Sequence, residues 1–390
     1  MGELLRLPLA RHGTAEGQRL WRQVWAQCPG IGGQRLQRLE QAFGQLDRAW
    51  RADGEQLKRV LHGTRLSARG LEELQAYRQQ LGPEPVSETP TPQQRRRWGV
   101  QRCLMPGDRS WPPALQQLER PPLQLFWQGR GSLWACLRRQ QAVAVVGTRR
   151  PSRHGETMAR ELGRALALAG WPVVSGLAEG IDAAAHGGCL EAGGRPVAVL
   201  GTPLERVYPR HHSQLQRRVA EQGLLVSELA AGTPVQAGHF ALRNRLQVAL
   251  SQAVVLVECP QRSGALHSAT LAWDLGMPLW VVPADASKAS AAGSNRWLGQ
   301  GATPLLSPQD LIESLGPGPL QRTTKAAENS GPAALHSREA ALLAALGAGA
   351  SLEQLCARLQ QSPGQLSQRL LQLELAGLLR SEPGLWWRPC

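Results

Sequence analysis

The stretch VVSGLAEGIDAAAH, residues 173–186, contains a short apolar strand, a glycine turn and the start of a helix. Similar apolar runs recur along the middle of the chain, at 142–146, 172–175, 197–200, 224–227, 253–257 and 278–282. They begin about 25 to 30 residues apart with helical stretches between them, which is typical of βα units in a parallel sheet covered on both faces. The sequence therefore predicts an α/β fold, a Rossmann-like, doubly wound, mostly parallel sheet.

Smaller domains are predicted on both sides of this sheet. Residues 1–85 have helical periodicity around the turn PGIG. The backbone amides of this turn could hold a DNA phosphate, as in a helix-hairpin-helix or SAM-like module. Alternatively, the turn could simply join two helices of a bundle. Residues 336–390 are predicted to form three helices and a β-hairpin, the pattern of a winged helix that binds either DNA or protein. Linkers at 86–100 and 316–335 are expected to bound the central domain, 101–315.

The charge of the chain indicates an anionic partner. The formal net charge is +14, and nearly all of the positive charge is arginine, since lysine occurs only at Lys58, Lys288 and Lys325. Such a basic protein suggests a nucleic acid as partner, because arginine makes bidentate contacts with phosphate. A coding bias toward arginine would explain the ratio of arginine to lysine but not the excess of positive charge.

Other features limit the expected location and chemistry. No stretch is long and apolar enough to span a bilayer, and the first residues do not resemble a signal peptide, so we expect a cytoplasmic protein with no membrane partner. The seven cysteines include no CxxC pair, which indicates neither a disulfide framework nor a zinc site. We expect no cofactor and no metal, because the P-loop and GxGxxG motifs are absent and no His, Asp or Glu cluster has metal-ligand spacing.

Ligands of open α/β sheets bind beyond the carboxyl ends of the strands. The loops at these ends are rich in Gly, Ser and Thr and lead into helices, which suits a phosphate cradle, although ordinary tight βα turns have the same composition. The RNR segment at 243–245 is expected to turn one arginine toward the ligand and one toward the sheet, with Phe240 and Leu246 held in the core. The predicted DNA-binding residues are Gly147, Thr148, Arg149, Ser152, Ser175, Gly176, Gly180, Arg243, Asn244, Arg245, Ser263 and Gly264.

Several motifs together resemble the DNA-processing protein A family, also called DprA or Smf. In chain order they are VAVVGTRRPSRHG, VVSGLAEGIDAAAH, PVAVLGTPLERVYP, LLVSELAAGTP, HFALRNR, SGALHSA and GSNRWLGQGA. The resemblance implies a protein of natural transformation and recombination that binds and protects incoming single-stranded DNA and loads a RecA-type recombinase. It also implies homodimers formed through the Rossmann-like domain, no catalytic residues, and DNA contacts from Arg149, Arg243 and Arg245.

The stretch at 173–186 contains three side chains that bear on its chemistry. Asp182 and His186 lie four residues apart at a helix start and could act as general acid and base. The resemblance instead implies structural roles: Asp182 orders the turn, and His186 donates to a neighbouring strand-end loop. Glu179 stands where many family members carry Lys or Arg, and its carboxylate would repel phosphate unless it pairs with Arg149 or Arg153.

Two other functions stay open at this point. One is a nucleotide-binding Rossmann-like enzyme of the nucleotide phosphoribohydrolase type, although the PGGxGT string of such enzymes is absent. The other is a scaffold whose winged helix binds protein.

Overall fold

The computed structural model of the chain describes residues 15–64, 66–85, 102–321, 339–382 and 386–389. The linker predicted at 86–100 lies outside these ranges, and so does most of the linker predicted at 316–335. The chain divides into two compact units, the first made of residues 1–101 and 120–124 and the second of residues 102–119 and 125–390. None of the helices in the described ranges combines the length and apolarity that crossing a membrane requires.

The first unit is a small helical bundle, as its periodicity predicts. Its helices are α1 (Ala15–Ala26), α2 (Gly33–Phe43), α3 (Leu46–Arg51), α4 (Gly54–Leu61) and α5 (Ala68–Leu81). Tryptophans fill the core: the rings of Trp25 and Trp50 meet edge to face at 5.1 Å, and the Trp25 indole N–H donates to the carbonyl of Leu46. Ile31 of the PGIG turn is buried in the same core.

The second unit is built on one sheet of nine strands among its described residues. They are β1 (Cys103–Leu104), β2 (Leu125–Gly129), β3 (Val143–Val146), β4 (Val173–Ser175), β5 (Pro196–Leu200), β6 (Leu224–Ser227), β7 (Ala253–Leu256), β8 (Leu279–Val281) and β9 (Thr303–Pro304). Their spatial order is β1-β2-β6-β5-β4-β3-β7-β8-β9. All neighbouring pairs from β6 to β9 in this order are parallel, whereas β1–β2 and β2–β6 are antiparallel. The six predicted strands are β3 to β8, so the predicted mostly parallel sheet is confirmed.

Helices cover both faces of this sheet. They are α6 (Trp134–Leu137), α7 (Arg153–Leu168), α8 (Ile181–Glu191), α9 (Ser213–Gln222), α10 (Ala237–Ala249), α11 (Ala265–Asp274), α12 (Ala292–Gly299) and α13 (Pro308–Leu315). Successive residues of β3 enter opposite cores, since Val143 and Val145 pack with α7 and α8 while Ala144 and Val146 pack with α10 and α11. This explains why the strands are apolar runs rather than alternating sequences.

A winged helix completes the second unit. Its helices are α14 (Ala340–Leu346), α15 (Leu352–Leu359) and α16 (Pro363–Leu375), and its strands are β10 (Ala350–Ser351), β11 (Leu379–Glu382) and β12 (Trp386–Pro389). The predicted hairpin is β11–β12, and the short β10 adds a third strand. The backbone N–H of Gly131 donates to Ser381 Oγ at 3.1 Å, and Arg130 lies 3.7 Å from the buried Glu374, so the winged helix packs directly against the sheet domain.

Candidate nucleic-acid interface

The winding of the sheet reverses between β3 and β7. After β3 the chain adds β4, β5 and β6 on one side, and β7 is followed by β8 and β9 on the other. Loops leaving the two strands at such a switch point diverge and leave a crevice. A cleft of about 690 Å³ lies there, and we call it the switch-point cleft. Its walls include the predicted residues Gly147, Thr148, Arg149, Arg243, Asn244, Ser263 and Gly264.

The loop after β3 presents two exposed guanidiniums to this cleft, those of Arg149 and Arg150. The loop backbone is fixed, because the N–H of Thr148 donates to the carbonyl of Glu258 at 2.8 Å and the N–H of Arg150 donates to Thr148 Oγ1 at 3.2 Å. In the described part of the chain, no carboxylate pairs with either arginine. Both charges are therefore available to an anionic ligand.

An aromatic wall lies beside Arg149. The guanidinium carbon of Arg149 is 5.4 Å from the ring centre of Phe240, and that ring lies 4.9 Å from the ring of Tyr208. The expectation that Phe240 is held in the core is wrong: Phe240 lies in the first turn of α10, against Gly201 beyond the end of β5, and lines the cleft. Leu246, further along α10, is fully buried as predicted. Aromatic rings next to arginine at a cleft wall suit the stacking of nucleic-acid bases.

Asp182 and Arg243 form the floor of the cleft. Asp182 accepts the N–H groups of Gly176 at 3.0 Å and Ala178 at 3.4 Å, and so orders the turn after β4. Arg243 is only 6% exposed and donates to the carbonyls of Gly176, at 2.6 Å, and Val199. Burial raises the pKa of Asp182, and Arg243, 3.7 Å away, opposes that shift. Gly176 has no room for a side chain, because a Cβ there would overlap the Arg243 guanidinium.

Ser152 caps α7 and does not line the cleft. Its hydroxyl donates to Glu258 Oε2 at 2.6 Å and accepts the N–H of Gly155 at 3.2 Å. Lys288 Nζ lies 2.7 Å from the same hydroxyl and 3.4 Å from Glu258 Oε2. Burial alone would raise the pKa of Glu258, but hydrogen bonds from Ser152 and Ser290 and the charge of Lys288 outweigh it and lower the pKa. This network fixes the far end of the β3 loop.

Besides Ser152, four predicted DNA contacts, Gly176 among them, do not line the switch-point cleft. Ser175 is fully buried and donates to the carbonyl of Val145 at 2.7 Å, so it cannot meet DNA. Arg245 turns the other way from Arg243 and forms a two-pronged pair with Glu228 at 2.6 and 2.7 Å. Gly180, with a φ of +77°, packs under the loop after β3. Ser175 is therefore corrected to a structural position, and DNA contacts by Gly180 and Arg245 stay predictions.

His186 is fully buried inside the sheet domain. Burial lowers its pKa to about 3, and a contact with the backbone of Val197 opposes the shift. The expectation that His186 donates to a strand-end loop is wrong, because in the described residues neither ring nitrogen finds such a partner. The ring is neutral and inaccessible to solvent.

Glu179 lies at the rim of a smaller recess next to the switch-point cleft, lined also by Arg149, Tyr208 and Phe240. Its Oε1 is 3.5 Å from His211 Nε2, and no pairing with Arg149 or Arg153, which would have offset its repulsion of phosphate, is found among the described residues. The Glu179 side chain is 46% exposed and can respond to a charged ligand.

Sequence reasoning missed several residues of the cleft. Arg262 and Ser290 line it from the loops after β7 and β8, and Arg262 is exposed. The basic residue in ECPQRSGALHSA could have revealed Arg262, whereas Ser290 lies in a loop with no strong motif. Within the ranges that the structure describes, no three His, Cys, Asp or Glu side chains are arranged to hold a metal ion.

This protein is a Rossmann-like α/β protein that has a basic cleft at the switch point of its sheet and an attached winged helix. The family model of DNA recombination-mediator protein A matches residues 102–316, and that of the DprA winged helix domain matches residues 326–384. The chain belongs to the DNA recombination-mediator protein A family, whose members are named DprA or Smf, so the resemblance stated above is confirmed.

Individual relatives agree with this assignment. Protein Smf of Synechocystis sp. is 32% identical over 93% of this chain and 96% of its own length. Protein Smf of Escherichia coli is 35% identical over 72% of this chain and 76% of its own length. The X-ray structure of DNA processing protein A from Streptococcus pneumoniae shares the fold, with a TM-score of 0.61 and 24% identity over 75% of this chain and 96% of that chain.

Proposed function

We propose that this protein is a recombination mediator that binds single-stranded DNA in the switch-point cleft. The observation that carries the proposal is the position of Arg149, exposed and without a carboxylate partner in the described residues, against the ring of Phe240. A phosphate-binding charge and stacking surfaces at one place suit a single strand, because its bases are free to stack on protein rings.

We infer a binding role rather than an enzymatic one. What supports this is the state of the two groups that could act as acid and base. The carboxylate of Asp182, at the floor of the cleft, is 6% exposed and already engaged by two backbone N–H groups, and His186 is fully buried and cannot reach a ligand.

The family also suggests a location, a recombinase partner and an oligomeric state for this protein. We propose that the protein acts in the cytoplasm, protects the incoming strand and delivers it to a RecA-type recombinase. We also propose a homodimer formed through the sheet domain. What supports it is the exposure of three large apolar side chains of the sheet domain, Trp273 (42%) and Leu275 (44%) at the end of α11 and Leu306 (73%) after β9.

Fluorescence anisotropy with a labelled single strand and the matching duplex, each at two salt concentrations, tests the DNA proposal. We expect tighter binding of the single strand with little sequence preference. For single strands, log affinity should fall against log salt with a slope of about −0.7 for each phosphate neutralised. Equal affinity for both DNAs, or a flat salt response, would contradict the proposal.

Sedimentation of the parent and of Leu306→Asp tests the dimer, since a carboxylate in an apolar interface is strongly unfavourable. We expect a dimer for the parent and a monomer for the variant, with single-strand binding per cleft retained. A recombinase filament assay on strands coated with a single-strand-binding protein tests delivery, and no acceleration by this protein would exclude that role.

A further inference from the structure

A second cleft lies where the winged helix meets the sheet domain. It has a volume of about 60 Å³, and we call it the junction cleft. Segments before β3 supply Ser132, Arg138 and Arg139, and the winged helix supplies Gly364 and Ser367. None of these residues belongs to the switch-point cleft.

The charge of the junction cleft is entirely positive. Arg109, Arg138 and Arg139 line it and are exposed, and no Asp or Glu is among its lining residues. In the described residues, none of the three guanidiniums is paired with a carboxylate. Three arginines without a carboxylate partner around one small space attract an anion, because an anion offsets the repulsion between their like charges.

Buried polar groups without partners line the same space. Ser132 is 6% exposed, and its Oγ has no hydrogen-bond partner in the described structure. The indole N–H groups of Trp134 and Trp387, which are 1% and 2% exposed, are also without partners there, and both residues line the cleft. An indole N–H can only donate, and a buried donor left unpaired is costly. A ligand with several acceptor oxygens, bound in the cleft that these residues line, would bring acceptors close to this set of groups.

Helix α16 begins at this cleft. It is 13 residues long, starts with Pro363 and Gly364, and its N-cap residue Ser362 makes no side-chain cap hydrogen bond to the helix. The Ser362 hydroxyl is instead within 3.1 Å of Gln365 Oε1. The first backbone N–H groups of the helix therefore lack a side-chain acceptor at the N-cap, and the positive end of the helix dipole adds to the arginine charge.

We propose that the junction cleft binds a phosphate group, held by Arg138, Arg139 and the first turn of α16. Its volume suits one phosphate and is too small for a whole nucleotide. The phosphate could belong to a DNA backbone that passes over the cleft or to free inorganic phosphate, and the chemistry of the site is the same for both. Because both sides of the interface contribute, a bound phosphate would bridge the winged helix and the sheet domain.

Thermal unfolding of the full chain in phosphate and in chloride at equal ionic strength tests this site. For the parent we expect the midpoint to be about 2–4 °C higher in phosphate, as for a ligand that binds only the folded state. The double variant Arg138→Ala/Arg139→Ala and the variant Ser367→Asp, which adds a carboxylate to the cleft, should lose this difference. Arg164→Ala removes an exposed charge on α7 and should keep it.

Several outcomes separate the possibilities. The phosphate effect is measured without DNA and compared among junction-cleft variants, so failure of the switch-point cleft as a DNA site would leave this test of the junction cleft untouched. If the double variant also binds DNA more weakly than Arg164→Ala does, with a less steep slope of log affinity against log salt, the phosphate is that of the DNA backbone. Unchanged DNA binding by the double variant assigns the site to free phosphate. A phosphate effect that is absent in the parent, or equal in the parent, the double variant and Ser367→Asp, would overturn the proposal.

Discussion

Arg149 lies with its guanidinium carbon 5.4 Å from the ring centre of Phe240, in cation–π contact. The ring holds the side chain at the cleft wall without neutralising its charge, which a carboxylate partner would do. Arg243 lies on α10, the same helix as Phe240, but it is buried and donates to the backbone carbonyl of Gly176. These two of the cleft's arginines thus have different roles: Arg243 supports the loops, and Arg149 is free to bind.

Replacing Arg149 by alanine should weaken single-strand binding by about 1–3 kcal/mol, which is the range for a charge-assisted hydrogen bond. The slope of log affinity against log salt should become less steep by about 0.7 for each phosphate that the variant no longer neutralises. Arg164→Ala, which removes an exposed arginine from α7, serves as the matched control in the anisotropy titration. A well-folded Arg149→Ala protein that binds like the control would place the DNA site elsewhere.

Replacing Phe240 by leucine should weaken binding of single strands more than binding of duplex. Leucine keeps the apolar contact with Gly201 but removes the ring that faces Arg149 and Tyr208. Removing a ring on which one base stacks costs about 1–3 kcal/mol. Competition titrations with both DNAs measure the difference, and Leu242→Ala, on the same helix and exposed, is the control. Equal weakening for both DNAs would mean that the ring only positions Arg149.

The fold of the sheet domain follows closely from local sequence, because strands buried on both faces must be continuous apolar runs. Predicted β3 and β6, for example, agree with the observed bounds to within one residue. The antiparallel strands β1 and β2 were not predicted, since their pairing depends on β6, about 100 residues further along the chain. Two-residue strands such as β9 and β10 carry no periodicity from which they could be predicted.

The candidate site was predictable only in part. Glycine-rich loops at strand ends correctly indicated where the cleft lies, because strand direction is set by the βα order. The partners of charged side chains were not predictable: Arg243 is paired with Asp182 and Arg245 with Glu228, although the two arginines are two residues apart. Which arginine is buried depends on the direction in which α10 crosses the sheet, and that is a tertiary property.

Replacing Glu258 by glutamine should destabilise the sheet domain by about 1–3 kcal/mol at neutral pH, because it removes the charge that Ser152 and Lys288 engage. The folded-state pKa of Glu258 is lowered, so its stabilising effect is complete above its ordinary pKa of 4.5 and is lost as the pH falls through the folded-state pKa. Urea unfolding at pH 7 and pH 4 should therefore show a smaller difference between parent and variant at pH 4. Glu161→Gln, at an exposed position of α7, should have the same unfolding free energy as the parent at both pH values.

His186 should make the sheet domain less stable in mild acid. Its folded-state pKa is about 3 against an ordinary 6.5, so between these values only the unfolded chain binds the proton, and stability falls as the pH drops below 6.5. The loss is about 1.4 kcal/mol per pH unit, or about 2 kcal/mol between pH 6.5 and pH 5. His186→Gln cannot take up that proton, so its unfolding free energy should change less over this interval than that of the parent or of His267→Gln, whose histidine is exposed. Parallel pH curves for all three would contradict the assignment of a buried, neutral ring.

Replacing Glu179 by arginine should tighten single-strand binding. The side chain is 46% exposed at the rim of the recess that Arg149 also lines, so a negative charge there opposes a phosphate in the cleft. Two unit charges about 5 Å apart interact by about 3 kcal/mol at an effective dielectric near 20, and salt reduces this at an exposed site. We therefore expect a gain of about tenfold at low salt that shrinks as salt is raised, with Glu179→Gln between parent and arginine.

The control for this series is Glu161→Arg, which makes the same change of charge on α7. A similar gain in that variant would show a general effect of net charge rather than a local one. The competing role of Glu179 is to hold His211, whose Nε2 lies 3.5 Å from its carboxylate. If that contact shapes the recess, both Glu179→Arg and Glu179→Gln should bind the single strand no better than the parent, and His211→Ala should reproduce their effect. Anisotropy titrations of these variants at low and moderate salt therefore decide whether Glu179 opposes DNA or supports the recess that receives it.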